Sequence, residues 1–148
     1  MYVTTAVRAN IVNTLLCIAL LTVTAPTWLQ WVEPSPLSYR VPYRVINAPV
    51  PAGELLTFVA ARCNSSSQAI PISITRALVP TDGTTAYAMG VGYTVVLPGC
   101  ASVQSQATSV PEYVPPGEYV LENVISYQGR WREFHTRTYT EPFRVVAP

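Results

Sequence analysis

The chain has 148 residues, of which only 11% are charged, and its formal net charge is +1. This length accommodates one domain of ordinary size. Because so small a net charge produces no strong field, the composition argues against a nucleic acid as partner.

The first predicted element is an N-terminal hydrophobic helix within residues 1–32. Its uncharged, mostly apolar stretch follows Arg8 and ends at Val32. From Ile11 to Val32 it spans about 22 residues, enough for a helix to cross a hydrocarbon layer of about 30 Å. Three interpretations stay open: a retained membrane anchor, a signal peptide cleaved after Ala25, and a helix buried in a larger assembly. The first two imply export from the cytoplasm.

Trp28 and Trp31 close this apolar stretch. Tryptophan is enriched at membrane interfaces, so the anchor interpretation places both rings there. Pro26 ends or kinks a helix at this point and makes the predicted span a modest one.

Residues 33–50 form a proline-rich spacer, because four prolines, followed directly by Pro51, restrain this stretch towards extended conformations. Apolar and polar residues alternate from Leu37 to Ile46, which predicts a first strand. Since proline is tolerated mainly at sheet edges, we expect an edge strand.

Residues 51–148 contain short runs of alternating apolar and polar residues bounded by Gly and Pro, a pattern typical of antiparallel strands. The predicted strands are Leu55–Cys63, Ile70–Val79, Ala86–Leu97, Ser102–Ser109, Tyr119–Tyr127 and Phe134–Val146. No segment after Val32 combines a helical period with capping residues. The sequence therefore predicts an all-β chain, a single antiparallel β-sandwich preceded by one N-terminal apolar helix.

Two cysteines, Cys63 and Cys100, lie outside the apolar stretch, whereas Cys17 lies inside it. An even pair in an exported domain predicts a disulfide, which forms in an oxidising compartment. The alternative is two free thiols in a reducing cell. The disulfide interpretation places the β-domain outside the cytoplasm.

The segment Pro115-Pro116-Gly117-Glu118-Tyr119, followed by an alternating strand, resembles the entry to the penultimate strand of immunoglobulin-like domains. The resemblance covers about residues 51–146 and implies a tyrosine corner, in which the Tyr119 hydroxyl bonds back to the turn near Gly117. Leu121 stands where the antibody pattern has a cysteine. The resemblance is thus to the broad immunoglobulin-like sandwich.

The layout of a short apolar N-terminus, a proline-rich spacer and a domain with Cys63 and Cys100 also resembles small membrane-linked proteins of tailed bacteriophages. This second resemblance implies a role in the virion or at the host envelope.

Catalytic and metal-binding patterns are weak. His135 and Asp82 are the only residues of their types, and no serine stands in a G-x-S-x-G elbow. The cysteines and His135 lack the paired spacing of a zinc site. We therefore expect no enzyme, no metal, no cofactor and no small-molecule substrate.

Two features predict protein contacts. Arg130, Trp131, Arg132 and Phe134 lie at a predicted hairpin tip, and Arg and Trp are enriched among interface anchors. The alternative is that Trp131 folds over the end of the domain. Second, an uncovered strand around Tyr93 would offer an edge for β-addition.

Together these patterns predict a non-enzymatic structural or interaction protein presented at a membrane or in a phage virion. Its partners would be the membrane or other protein subunits, engaged through the N-terminal segment, and a homo-oligomer is compatible with this. The alternative is a secreted or periplasmic binding module, an inhibitor or chaperone, released by signal cleavage.

Overall fold

The structure, a computed structural model, describes residues 14–20, 22, 24, 25 and 33–148, with the backbone alone of residues 102–104. It divides the chain into two compact units. One comprises Met1–Pro34 with Gly129–Arg132, and the other comprises Ser35–Gln128 with Glu133–Pro148.

The described N-terminal residues of the first unit are helical, as the apolar stretch predicts. The side chains of Leu15, Leu16, Ile18 and Leu20 are each more than half exposed. Searching the described residues for a helix with the length and apolar character to cross a membrane yields none. Trp28 and Trp31, predicted at a membrane interface, lie outside the described residues.

The second unit is made of strands, and the described residues contain nine of them. They are β1 (Leu37–Val45), β2 (Val50–Pro51), β3 (Leu55–Asn64), β4 (Ile70–Pro80), β5 (Tyr87–Val96), β6 (Gly99–Ser109), β7 (Gly117–Gln128), β8 (Glu133–Tyr139) and β9 (Phe143–Val146). The all-β class predicted from the alternation is confirmed.

Within the described part of the chain these strands form two sheets. The smaller is antiparallel in the order β1-β3-β6. The larger has the order β2-β9-β7-β4-β5, and β8 pairs with β7 beyond the end of β9. Its ladders are antiparallel except for β2 with β9, which is parallel. The chain thus leaves the small sheet after β3, builds β4 and β5 of the large sheet, and returns as β6.

Alternation along the strands directs every second side chain inward, and these side chains form two apolar clusters among the described residues. The larger consists of Tyr43, Val45, Val50, Ala52, Leu56, Phe58, Ala60, Leu78, Val110, Val114, Tyr119, Leu121, Phe143 and Val145. The smaller consists of Leu37, Ile72, Ile74, Val96, Ile125, Tyr127 and Phe134. Each cluster draws residues from both sheets, so the core lies where the two sheets face each other.

The strand boundaries differ from the predicted ones in one informative place. The run from Phe134 to Val146 was expected to be one strand, but it forms β8 and β9 with a break at Glu141-Pro142. Proline has no N–H to give to a ladder, so pairing with β7 stops and restarts after it. β8 and β9 consequently pair with different parts of β7.

Candidate functional site

The predicted disulfide is present. Cys63 on β3 and Cys100 on β6 are directly paired across the ladder, and their sulfur atoms are bonded. The bond closes a loop of 37 sequence positions that contains all of β4 and β5. It therefore links the two points at which the chain leaves the small sheet and returns to it.

Tyr119 lies at the start of β7 with its ring buried, and its hydroxyl donates a hydrogen bond of 2.8 Å to the carbonyl of Pro115. Burial, then the neighbouring Tyr87, raises the pKa of this hydroxyl. A Cβ at Gly117 would lie 3.3 Å from the Tyr119 ring, so the glycine leaves the space that the ring occupies. The bond fixes the turn that leads into β7.

The predicted contact cluster at the hairpin tip is organised around Glu33, within the first unit. The Glu33 carboxylate accepts hydrogen bonds from the backbone N–H groups of Arg130, at 2.7 Å, and Trp131, at 2.9 Å. The Arg130 guanidinium stacks over the Trp131 ring at 5.0 Å, and Trp131 remains 40% exposed. Desolvation acts to raise the pKa of Glu33, but the hydrogen bonds outweigh it and the pKa is lowered.

Phe134 was predicted to belong to this same contact cluster, but the structure places it elsewhere. Its side chain is 6% exposed and stacks on Tyr127, with ring centroids 5.1 Å apart, inside the smaller apolar cluster. The alternation of β8 explains the difference, because Phe134 falls on the inward face of the strand. Phe134 is not available for surface contact.

Strand β5 is an edge of the large sheet, because the described strands pair with it on one side only, at β4. Val91, Tyr93 and Val95 project from one face and are 55%, 83% and 50% exposed. No charged residue occurs between Tyr87 and Val96. Two other edges carry charge, since β1 has arginines and β8 has Glu133 and Arg137, whereas the uncharged edge strand β6 is mostly polar. β5 is thus a long, uncharged, apolar edge.

His135 and Ser126 lie side by side on the outer face of the large sheet. The Ser126 hydroxyl and His135 Nδ1 are 2.8 Å apart, and His135 Nε2 lies 3.8 Å from the Glu133 carboxylate. The order Ser, His, Glu is that of a nucleophile with its base and orienting acid. Such a triad also needs backbone N–H groups that are available to stabilise an oxyanion. At this point β7 is paired with both β4 and β8, so its backbone N–H groups are directed into the sheet ladders. An exposed, hydrogen-bonding surface is what these residues provide.

This surface is shallowly concave. The groove has a volume of about 480 Å³, with Ser73 and Ser126 among its small lining residues and Tyr93 and Glu133 also lining it. It therefore adjoins the apolar edge of β5. Within the described residues, His, Cys, Asp and Glu form no group of three that could hold a metal ion.

A layer of mostly polar side chains lies between the two apolar clusters, and Tyr39 in this layer packs against both of them. We refer to it as the polar belt, and it consists of Tyr39, Arg62, Arg76, Gln106, Asn123 and Thr138. On β4, Arg76 stands between Ile74 of the smaller cluster and Leu78 of the larger. On β7, Asn123 stands opposite Arg76. The belt is thus contributed by both sheets at the same level.

Several polar atoms of the belt are buried without a hydrogen-bond partner among the described residues. They include Tyr39 Oη, Arg76 Nε and Asn123 Nδ2. Burial, followed by the neighbouring tyrosines, raises the pKa of Tyr39, although Arg62 nearby lowers it. Because buried polar groups are normally paired, atoms of this kind indicate a place for water or a ligand.

Two spaces adjoin the belt. One is an enclosed cavity of about 10 Å³ between Tyr39 and Asn123, the scale of a single water molecule. The other is a cleft of about 340 Å³ lined by Arg62 and Arg76, together with Gly92 and Thr94 of the edge strand β5. The alternation Ile72, Ile74, Arg76, Leu78 places an arginine on an otherwise apolar face. This pattern in the sequence is the signal that could have singled out Arg76, but it does not indicate that Arg62 faces the same cleft.

No protein-family model matches the sequence, and no curated protein matches it significantly. Among solved structures, the C-terminal domain of Wzt aligns over 78% of this chain and 76% of its own, with a TM-score of 0.50 and 13% identity. A putative late embryogenesis abundant protein, solved in solution, aligns over 95% of this chain and 86% of its own, with a TM-score of 0.49 and 16% identity. The alkylpurine DNA glycosylase AlkC of Pseudomonas fluorescens, bound to DNA, aligns over 87% of this chain and 36% of its own, with a TM-score of 0.47 and 12% identity. At this identity the Wzt domain is similar in fold alone, and the two lower TM-scores carry no argument.

Proposed function

We propose that the chain is a non-enzymatic structural or interaction protein that self-associates through β5 and is held at a membrane or in a phage virion by its N-terminal segment. The alternative, a secreted binding module, differs in losing that segment by cleavage. The observation that carries the proposal is the exposed, uncharged, apolar edge of β5. Natural proteins usually block such edges, and an unblocked edge favours strand pairing with another chain.

An immunoglobulin-like sandwich is the fold that we propose for the β-domain. The hydrogen bond from Tyr119 to the Pro115 carbonyl supports it, because a tyrosine corner is a hallmark of those domains. The Cys63–Cys100 disulfide supports a position outside the cytoplasm, since such bonds persist in oxidising compartments.

A second copy of this chain is the partner that the β5 edge fits best. The exposed residues are symmetric about Tyr93, with a valine two positions before it and a valine two positions after it. When two copies of β5 pair antiparallel about Tyr93, Val91 of each copy lies opposite Val95 of the other. Tyr93 then faces Tyr93. This is the self-complementary contact that a two-fold dimer requires.

The pairing satisfies two chemical requirements at once. The unpaired backbone groups of β5 obtain partners, and its exposed apolar side chains obtain apolar neighbours across the new ladder. Each directly opposed aromatic or β-branched pair contributes roughly 0.2–1 kcal/mol. Joining the two large sheets in this way produces one continuous sheet across the dimer.

Cysteine cross-linking tests the symmetry directly. In full-length protein carrying Cys17→Ser, to remove the exposed free thiol, we expect Tyr93→Cys to form a covalent dimer under mild oxidation. Directly opposed residues in a ladder are close enough for a disulfide. Tyr139→Cys is the matched control, because Tyr139 is a half-exposed tyrosine of the same sheet on β8. Equal cross-linking of the two variants would refute pairing through β5.

The proposed location has its own test. Mass spectrometry of the mature protein identifies its first residue, and membrane fractionation shows whether the intact chain sediments with lipid. A chain that retains the segment before Pro26 and sediments with membranes or virions supports the proposal. A soluble chain that begins at Pro26 contradicts the anchor and favours the secreted module.

A further inference from the structure

The cleft beside the polar belt is lined by two arginines, although the net charge of the protein is only +1. Arg62 comes from β3 of the small sheet and Arg76 from β4 of the large sheet, and both line the same space of about 340 Å³. No aspartate or glutamate occurs among its described lining residues. Two cations that face one space create a local positive field that attracts an anion.

Arg76 is the residue whose surroundings call for such a partner. It lies on the inward face of β4, and its Nε atom is buried without a hydrogen-bond partner among the described residues. Burial lowers the pKa of Arg76, which shows that its surroundings disfavour the charged form. Arginine nonetheless stays protonated in proteins, so a partly buried charge remains to be compensated.

The backbone of β5 is shaped around this guanidinium. A Cβ at Gly92 would lie 3.3 Å from Arg76 Nη1, closer than side-chain carbons normally approach. Gly92 itself has no positive φ that would require glycine. Because Gly92 has no side chain, the Arg76 guanidinium can occupy the space above it and lie in the cleft.

We propose that this cleft binds a small oxyanion, a carboxylate or a phosphate or sulfate group, between Arg62 and Arg76. The planar guanidinium presents paired N–H donors that match the two oxygens of such a group. Gln106 and Thr94 line the same space and supply uncharged hydrogen-bonding groups for the remainder of the ligand. A volume of about 340 Å³ lies at the lower end of the range for small-molecule sites.

The proposal goes beyond self-association and does not depend on it, because the two arginines come from β3 and β4, although Tyr93 of the β5 edge also lines the cleft. It adds a bound small molecule to a protein for which the sequence predicts no small-molecule substrate. The candidate ligands have an oxyanion group in common, and the experiment must determine which kind of molecule bears it.

Calorimetric titration of full-length protein tests the site with inorganic phosphate, inorganic sulfate and glucuronate, and with glucose as the uncharged counterpart of glucuronate. Ionic strength is held constant with sodium chloride. We expect saturable binding of at least one of the three anions and none of glucose. Binding by Arg76→Met should be weaker by roughly tenfold or more, because charge-assisted hydrogen bonds are lost.

Arg137→Met is the matched control, because it removes the same charge from an arginine whose side chain is 78% exposed on β8. It should bind as the unaltered chain does. Gly92→Ala provides a second variant that keeps both arginines and displaces the guanidinium, and it should weaken binding severalfold. The proposal is overturned if no anion binds above the chloride background. It is also overturned if Arg76→Met and Gly92→Ala both bind like Arg137→Met.

Discussion

Replacing both Cys63 and Cys100 by serine should remove a large part of the stability of the β-domain. The bond closes a loop of 37 sequence positions, for which the chain-entropy relation gives about 4 kcal/mol at room temperature. Cys100 is exposed and Cys63 is partly exposed, so serine at these positions costs little packing. The measured loss should therefore come mainly from the freed loop. A domain of this size has about 5–15 kcal/mol in total.

Urea unfolding measures this loss. With a slope of about 1–2 kcal/mol per molar urea, the midpoint of the double variant should fall by roughly 2–4 M. Cys17→Ser, which leaves the bond intact, should unfold like the unaltered chain. Reductant added to the unaltered chain should reproduce the effect of the double variant. A loss below about 1 kcal/mol would show that the loop is already restricted in the unfolded chain, and would refute the reasoning.

Three further changes have expected outcomes. Leu78→Ala should lower the free energy of unfolding by about 2–5 kcal/mol, because Leu78 is fully buried. Leu97→Ala, at an exposed position, should change it by less than about 0.5 kcal/mol. Equal effects of the two variants in urea unfolding would contradict the described core. Tyr119→Phe should cost about 1 kcal/mol in the same assay, because only the hydroxyl bond to the turn is removed, and an unchanged stability would argue against that bond. The pKa of Glu33 lies below its ordinary value of 4.5, so its contact with the β7–β8 turn is complete above that pH and is lost as the pH falls through the lowered pKa. NMR of the turn amides should show this transition, Glu33→Gln should abolish it, and a midpoint at or above 4.5 would contradict the contact.

The strands themselves were largely predictable from alternation. Three isoleucines, Ile70, Ile72 and Ile74, alternate with proline, serine and threonine, and β4 begins at Ile70. Alternation depends only on neighbouring residues, so a single sequence reveals it. The pairing of strands was not predictable in the same way. β4 lies between β5 and β7, and its partnership with β7 joins residues that are distant in the chain.

The cysteine pair was also predictable, because the chain offers few alternatives. The polar belt was not. An inward-facing arginine violates the general preference for apolar residues on a buried face, and only the packed structure shows that Arg62 and Arg76 face the same cleft. Phe134 illustrates the opposite error. Its neighbours Arg130 and Trp131 suggested a surface cluster, whereas its position in the alternation of β8 placed it inside.

The polar belt also has a consequence for local opening of the native protein. Among the described residues, the apolar cluster on one side of the belt contains fourteen buried residues and the cluster on the other side contains seven. Because polar side chains lie between the two clusters and only Tyr39 is described as packing against both, we expect each end of the domain to open with a free energy of its own. The disulfide lies beside the smaller cluster, next to Asn64, whose side chain bonds to the Val96 carbonyl. Amide hydrogen exchange in reductant should accelerate first at that end, where a covalent bond reinforces the less extensive apolar packing.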